Sequence, residues 1–181
     1  MLALRSVLAL ALVASSYAGI LLPRANTNAA ISPIVDQVDM TMRHVGPDIL
    51  TITANQTLST ATLTPQFNRM NTSFTAMRTG LAGVAVSSGS TTTHPTNDDL
   101  SKVVGDAVVL VATSLSGVKA TGKVPNFAAL VSSLDPTIAG ALKQFNTTSP
   151  NGLALVHIIM IDARQFLVAE GFTQTNAALG F

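Results

Sequence analysis

His44, His94 and His157 are the side chains in this sequence best suited to move a proton or hold a metal near neutral pH. Their spacing gives them no partners. None has the second His four residues on or the adjacent Glu of an HExxH motif, and His94 lies in a stretch of Ser and Thr. His157 and Asp162 differ by five residues, which turns them about 140° apart on a helix. "TSLSG" (Thr113 to Gly117) sets serines among small residues, but a nucleophile elbow needs a strand running into a helix, and the periodicity here is helical. The adjacent acids Asp98 and Asp99 fall at a helix start, where the dipole favours negative charge, and read as capping rather than as an acid–base pair. No glycine-rich loop follows a strand, so there is no phosphate cradle. Cysteine is absent, which removes thiolate nucleophiles, thiolate metal sites and disulfides together. The expectation is a non-enzyme with no catalytic residue, no metal and no cofactor.

Two other kinds of chemistry remain. Sequons at Asn55, Asn71 and Asn146 have no proline in the middle and are N-glycan acceptors in a secretory pathway. The other kind is apolar. Phe67, Met70, Phe74, Met77, Leu81 and Val84 recur at steps of three and four, one face of a helix. Asn71 lies about 90° from the centre of that stripe, so a sugar there is expected to point to solvent. Met40, Met42, Met70, Met77 and Met160 are flexible, polarizable side chains that suit promiscuous apolar sites as well as ordinary cores. Trp is absent, which weakens any reading as a carbohydrate module that stacks sugar rings.

The beginning of the chain supplies the compartment. Arg5, the apolar run from Val7 to Ala14 and the small residues up to Ala18 read as a secretory signal peptide over residues 1–18, too short to span a bilayer. Residues 19–30 are an N-terminal extension and residues 31–178 one helical-bundle domain. Loss of the leader takes away Arg5 and the single Tyr, Tyr17, leaving nine basic against nine acidic residues. A nucleic-acid binder needs a concentrated basic surface, and the scattered Lys and Arg form none. Nucleic acid is set aside as a partner. The expected location is extracellular or in the cell wall, and the absence of an apolar tail after "QTNAALGF" predicts no lipid anchor there.

The elements that must position these groups are read from punctuation. Ser32-Pro33 starts a first helix with Ile34, Val35, Val38, Met42, Val45 and Ile49 on one face, which Gly46-Pro47 should kink or break. Thr64-Pro65 starts a second, running to about Val86. "SSGSTTTHPT" (Ser87 to Thr96) reads as a hydroxyl-rich linker open to O-glycosylation. Thr96 or Asn97 caps a third helix, with Leu100, Val103, Val104, Ala107, Val111 and Leu115 inward. Phe127 to Phe145 continues the period, divided by Asp135-Pro136, with Asp135 capping the second piece. Asn151 caps a last helix, apolar on two faces (Leu153, Val156, Met160, Ala163 and Leu167; Leu155, Ile159 and Phe166) and so suited to the inside of a bundle. The predicted fold is all-α, one bundle of four to five amphipathic helices.

This organisation, with "TNDDLSKVVGDAVVLVATSLSGV" and "KATGKVPNFAALVSSLDPTIAGALKQF" after the hydroxyl-rich stretch, resembles the fungal hydrophobic surface-binding protein A family, related to antigenic cell-wall galactomannoproteins. The resemblance spans about residues 30–170. It implies a secreted, non-enzymatic fungal protein that adsorbs to hydrophobic surfaces or lipids, in some members recruiting a secreted hydrolase such as a cutinase. In the galactomannoprotein branch it implies a bundle with a fatty acid in its core. A structural cell-wall mannoprotein is the alternative. The prolines at positions 47 and 136 depart from the family's pattern. A fatty-acid carrier requires Phe67, Met70, Phe74, Met77, Phe127, Leu130, Leu134 and Met160 to line an elongated apolar cavity, which the small residues Ala82, Gly83, Ala107, Ala139 and Gly140 favour. An adsorber that opens requires the same residues to pack densely.

Overall fold

The computed structural model describes residues 24–181, so the predicted leader lies outside the described residues. Those residues form seven α-helices and one short 3₁₀ turn, with no strand among them. They are α1 (Asn28–Ala54), α2 (Thr60–Ala82), α3 (Asn97–Leu115), α4 (Phe127–Thr148), α5 (Gly152–Met160), α6 (Arg164–Glu170) and α7 (Thr173–Leu179), with the 3₁₀ turn at Lys119–Thr121. The all-α reading holds. The helix number exceeds four to five because the divisions fall in other places than the prolines suggest.

Neither proline pair divides its helix. α1 runs unbroken through Pro33 and Pro47, and α4 runs through Pro136. Each proline removes one rung of the hydrogen-bond ladder, but buried residues on either side keep the helix continuous through the gap. Around Pro47 these are Met42, Val45, Gly46 and Ile49. Gly46 faces Leu110 and Ser114 of α3, which lie 3.8 Å from where its Cβ would stand. Tertiary packing outweighs local propensity here.

The starts shift as well. α1 begins at Asn28, ahead of Ser32, and α2 at Thr60, where Ser59 and Thr62 form a reciprocal capping box upstream of Thr64. α2 ends at Ala82, short of Val86. α3 begins as expected: the Thr96 side chain accepts from the Asp99 N–H and the Asp99 carboxylate accepts from the Thr96 N–H. The last helix divides into three. α5 and α6 meet at 78° across Ile161 to Ala163, and Gly171 ends α6 at φ +97° with the Phe172 N–H returning to the Leu167 carbonyl. Asn151, at φ +66°, precedes α5 without any side-chain cap bond, contrary to its expected capping role.

Residues 83–96 are a folded loop rather than a linker. Asn28, fully buried, donates to the Pro95 carbonyl (3.0 Å) and to Asn97 Oδ1 (2.9 Å), and accepts from the Ser87 hydroxyl (2.7 Å). Ser87 is 2% exposed and is closed to a sugar, whereas Thr91, Thr92 and Thr93 are exposed. The loop is ordered because each buried amide of Asn28 finds a partner in it.

The long helices form a row. α1 packs on α2 and on α3, and α2 packs on α4, which gives the order α3, α1, α2, α4. The C-terminal helices bridge the two edges: α5 and α6 pack on α3, and α5 and α7 on α4. One apolar cluster fills the interior, with Phe67, Phe74, Phe145 and Phe172 among its fully buried members.

Candidate functional site

α1 and α2 are antiparallel neighbours joined by a short turn, and their facing outer margins leave a groove of about 910 Å³. On α1 it is lined by Pro33, Ile34, Gln37, Val38, Met40, Thr41 and His44; on α2 by Asn68, Arg69, Thr72, Ser73, Ala76, Met77 and Gly80. Gly80 lets the helices approach at one end, where a Cβ would stand 3.2 Å from the Ile34 side chain. From Pro33 to His44 the groove follows eleven helical steps, about 16 Å.

The two ends differ in character. Ile34, Pro33 and Gly80 make the first end apolar, and Ala76, Met77, Val38 and Met40 carry that surface along the middle. His44, Asn68 and Arg69 make the other end polar. Arg69 engages one arm of its guanidinium, Nη1, with Asp48 Oδ2 (2.8 Å) and Gln66 Oε1 (3.1 Å). Its remaining N–H groups have no partner among the described residues, so they can meet a polar head while the apolar length receives a hydrocarbon. Met40, 51% exposed, forms part of the outer lip. Midway, the Ser73 hydroxyl is buried with no hydrogen-bond partner among the described residues.

The eight lining candidates do not converge on one hollow. Met77 lines this groove, and Phe127 lines a smaller hollow of about 270 Å³ between α4 and the C-terminal helices. Phe67, Met70, Phe74, Leu134 and Met160 line neither and are buried to 0–1% exposure in the common core. Leu130 is half-buried against it. The Phe67 and Phe127 rings meet edge to face at 5.9 Å, joining α2 to α4. Periodicity within one helix finds the core face, whereas the groove belongs to the margins of two. The signal that could have located it is the pair of small residues Ala76 and Gly80, four apart on α2 opposite Ile34.

The sequons are unequal. Asn55 at the end of α1 and Asn146 near the end of α4 are exposed. Asn71 is half-buried on the side of α2 towards α4, its amide donating to Ser133 Oγ at 3.3 Å.

The remaining polar candidates have structural partners. His94 Nδ1–H donates to Asp99 Oδ2 at 2.6 Å. The Asp99 carboxyl is pulled down to about 2, chiefly by the hydrogen bond from the Thr96 backbone N–H, then by the Thr96 side chain and His94. His157 turns from Asp162 to the Leu179 carbonyl, 2.8 Å away. Ser114 in "TSLSG" is buried within α3, its hydroxyl donating to the Val111 carbonyl (3.3 Å). Among the described residues no three His, Asp or Glu side chains gather where they could hold a metal. No family model matches the chain, and no curated protein is significantly similar to it.

Proposed function

We propose that this chain is a secreted, non-enzymatic binder of hydrophobic surfaces or lipids, allied to the hydrophobic surface-binding protein A family. The observation that carries the reading is the α1–α2 groove: an open, mainly apolar channel about 16 Å long, closed in by Ile34 at one end and polar at Arg69 and His44 at the other. Five large aliphatic side chains exposed on the outside, Met40, Leu50, Ile158, Ile161 and Val168, add apolar contact area. Near-zero net charge leaves little long-range repulsion to oppose adsorption. A bound fatty acid would lie along the groove with its carboxylate at Arg69. Once adsorbed, the protein could recruit a secreted cutinase-like hydrolase to the same surface. The exposed sequons Asn55 and Asn146 support the second reading, a structural cell-wall mannoprotein.

Adsorption of the secreted protein to polystyrene and to phosphatidylcholine vesicles tests this, beside native mass spectrometry for a co-purifying acyl chain. Met40→Glu and Ala76→Glu place charge on exposed groove positions without touching the core. Each should cut binding several-fold with the circular dichroism spectrum unchanged. Full binding by both variants would remove the groove from the reading, and a wild-type protein that neither adsorbs nor carries lipid would end it.

A further inference from the structure

The row α3, α1, α2, α4 packs helix on helix, and the last three helices touch it chiefly along its two edges, α3 and α4. This C-terminal segment is tied to itself. His157 donates to the Leu179 carbonyl at 2.8 Å, and the Phe181 ring stacks on His157 at 4.2 Å with the Arg164 guanidinium 4.8 Å from its centroid. These contacts link α5, α6 and the end of α7 across the bend between α5 and α6.

Two buried carboxylates fasten that segment to the row in reciprocal fashion. Asp135 on α4 accepts from the backbone N–H groups of Gln174 (2.8 Å) and Thr175 (2.7 Å) at the start of α7. Glu170 at the end of α6 accepts from the N–H groups of Gly117 (2.7 Å) and Lys119 (3.0 Å) after α3. Both are 4% exposed. Between them the seam is imperfectly filled, with a hollow of about 270 Å³ that both carboxylates line.

The segment is also apolar on two sides. Val156, Met160, Leu167 and Phe172 point into the core at 0–1% exposure, while Ile158, Ile161 and Val168 face outward at 52–62%. A body with an apolar outside loses little on leaving water for an apolar phase.

We propose that α5 to α7 are a lid that lifts from α3 and α4 as one unit, opening the core along the gap between those helices. On the surface-binding reading given above, the bared edges of α3 and α4 and the lid's Ile158, Ile161 and Val168 then meet the apolar surface together. The groove between α1 and α2 stays intact throughout, since the lid packs chiefly on α3 and α4.

Hydrogen exchange of the secreted protein, read by mass spectrometry, tests the lid without any variant. Amides of residues 153–179 should exchange at least tenfold faster than the buried turns of α1 and α2, and at one common rate. Protection equal to that of α1, or fraying of α7 alone, would overturn the proposal. Glu170→Gln should speed exchange further in the lid and at residues 117–121 and nowhere else; a uniform change or none at all would count against it. On polystyrene beads, the lid and its edges on α3 and α4 should lose protection while α1 and α2 keep theirs. Adsorption with the lid still protected would sink the opening and leave surface binding in place. A lid that opens freely in a protein that never adsorbs would sink surface binding and leave the opening.

Discussion

Asp135 stands directly before Pro136, a pair that marks a helix start in sequence, yet its carboxylate serves the first turn of α7, some forty residues further along the chain. Aimed at an N-terminal turn, it satisfies donors that no helical carbonyl can reach and lies at the positive end of the dipole. Asp135→Ala should cost about 2–3 kcal/mol in urea unfolding, because the buried Thr175 N–H and the part-buried Gln174 N–H lose their acceptor. Asp135→Asn keeps one oxygen and should cost less. Asp99 shows the same chemistry within reach of local sequence, since Thr96 and Asp99 are three apart and cap each other. Its folded-state pKa, about 2, lies below the ordinary 3.8. The group therefore binds protons more readily unfolded, and its contribution is complete above about pH 4 and vanishes as pH falls through about 2. The urea midpoint of Asp99→Asn should trail wild type at pH 6 and draw level with it at pH 2.

At the scale of elements, the four prolines that opened or divided helices on paper are the clearest departures, and Pro47 is the most informative. It is exposed within α1 and contributes only a missing N–H and a crowded ring. Pro47→Ala should raise stability by about 1–3 kcal/mol, measured as a higher melting temperature. The reverse sign is expected at Gly152, where a Cβ would stand 2.7 Å from the Phe145 ring. Gly152→Ala should cost about 1–3 kcal/mol, because an aromatic ring in a packed core cannot step aside. Much of the fold was legible in sequence: the stripe from Phe67 to Leu81 is buried at every expected position, and the start of α3 follows its capping residues. The break across Ile161, Asp162 and Ala163 was not, for those residues include neither Gly nor Pro and the bend comes from wrapping two apolar faces around the row. The groove was illegible for a related reason, with Met77 its only member among the candidates. It arises between helices, and one helix's period carries no record of its neighbour's margin.

At the scale of the molecule, α5 to α7 cover the edges of α3 and α4 among the described residues, and with no cysteine in the chain no disulfide holds them there. A chain stopped at Ser149 should keep the helical circular dichroism of α1 to α4 yet bind the dye ANS strongly and self-associate in size exclusion. Native-like dye exclusion in that chain would mean that the row closes on itself. The same order of parts has a consequence during synthesis. A ribosome delivers α1 to α4 first, and at ~5–20 residues per second residues 152–181 follow over roughly 2–6 s. Each nascent molecule passes through an interval with one apolar flank bare, and crowding of neighbouring chains on a busy message makes that interval, rather than the finished protein, the stage most exposed to aggregation.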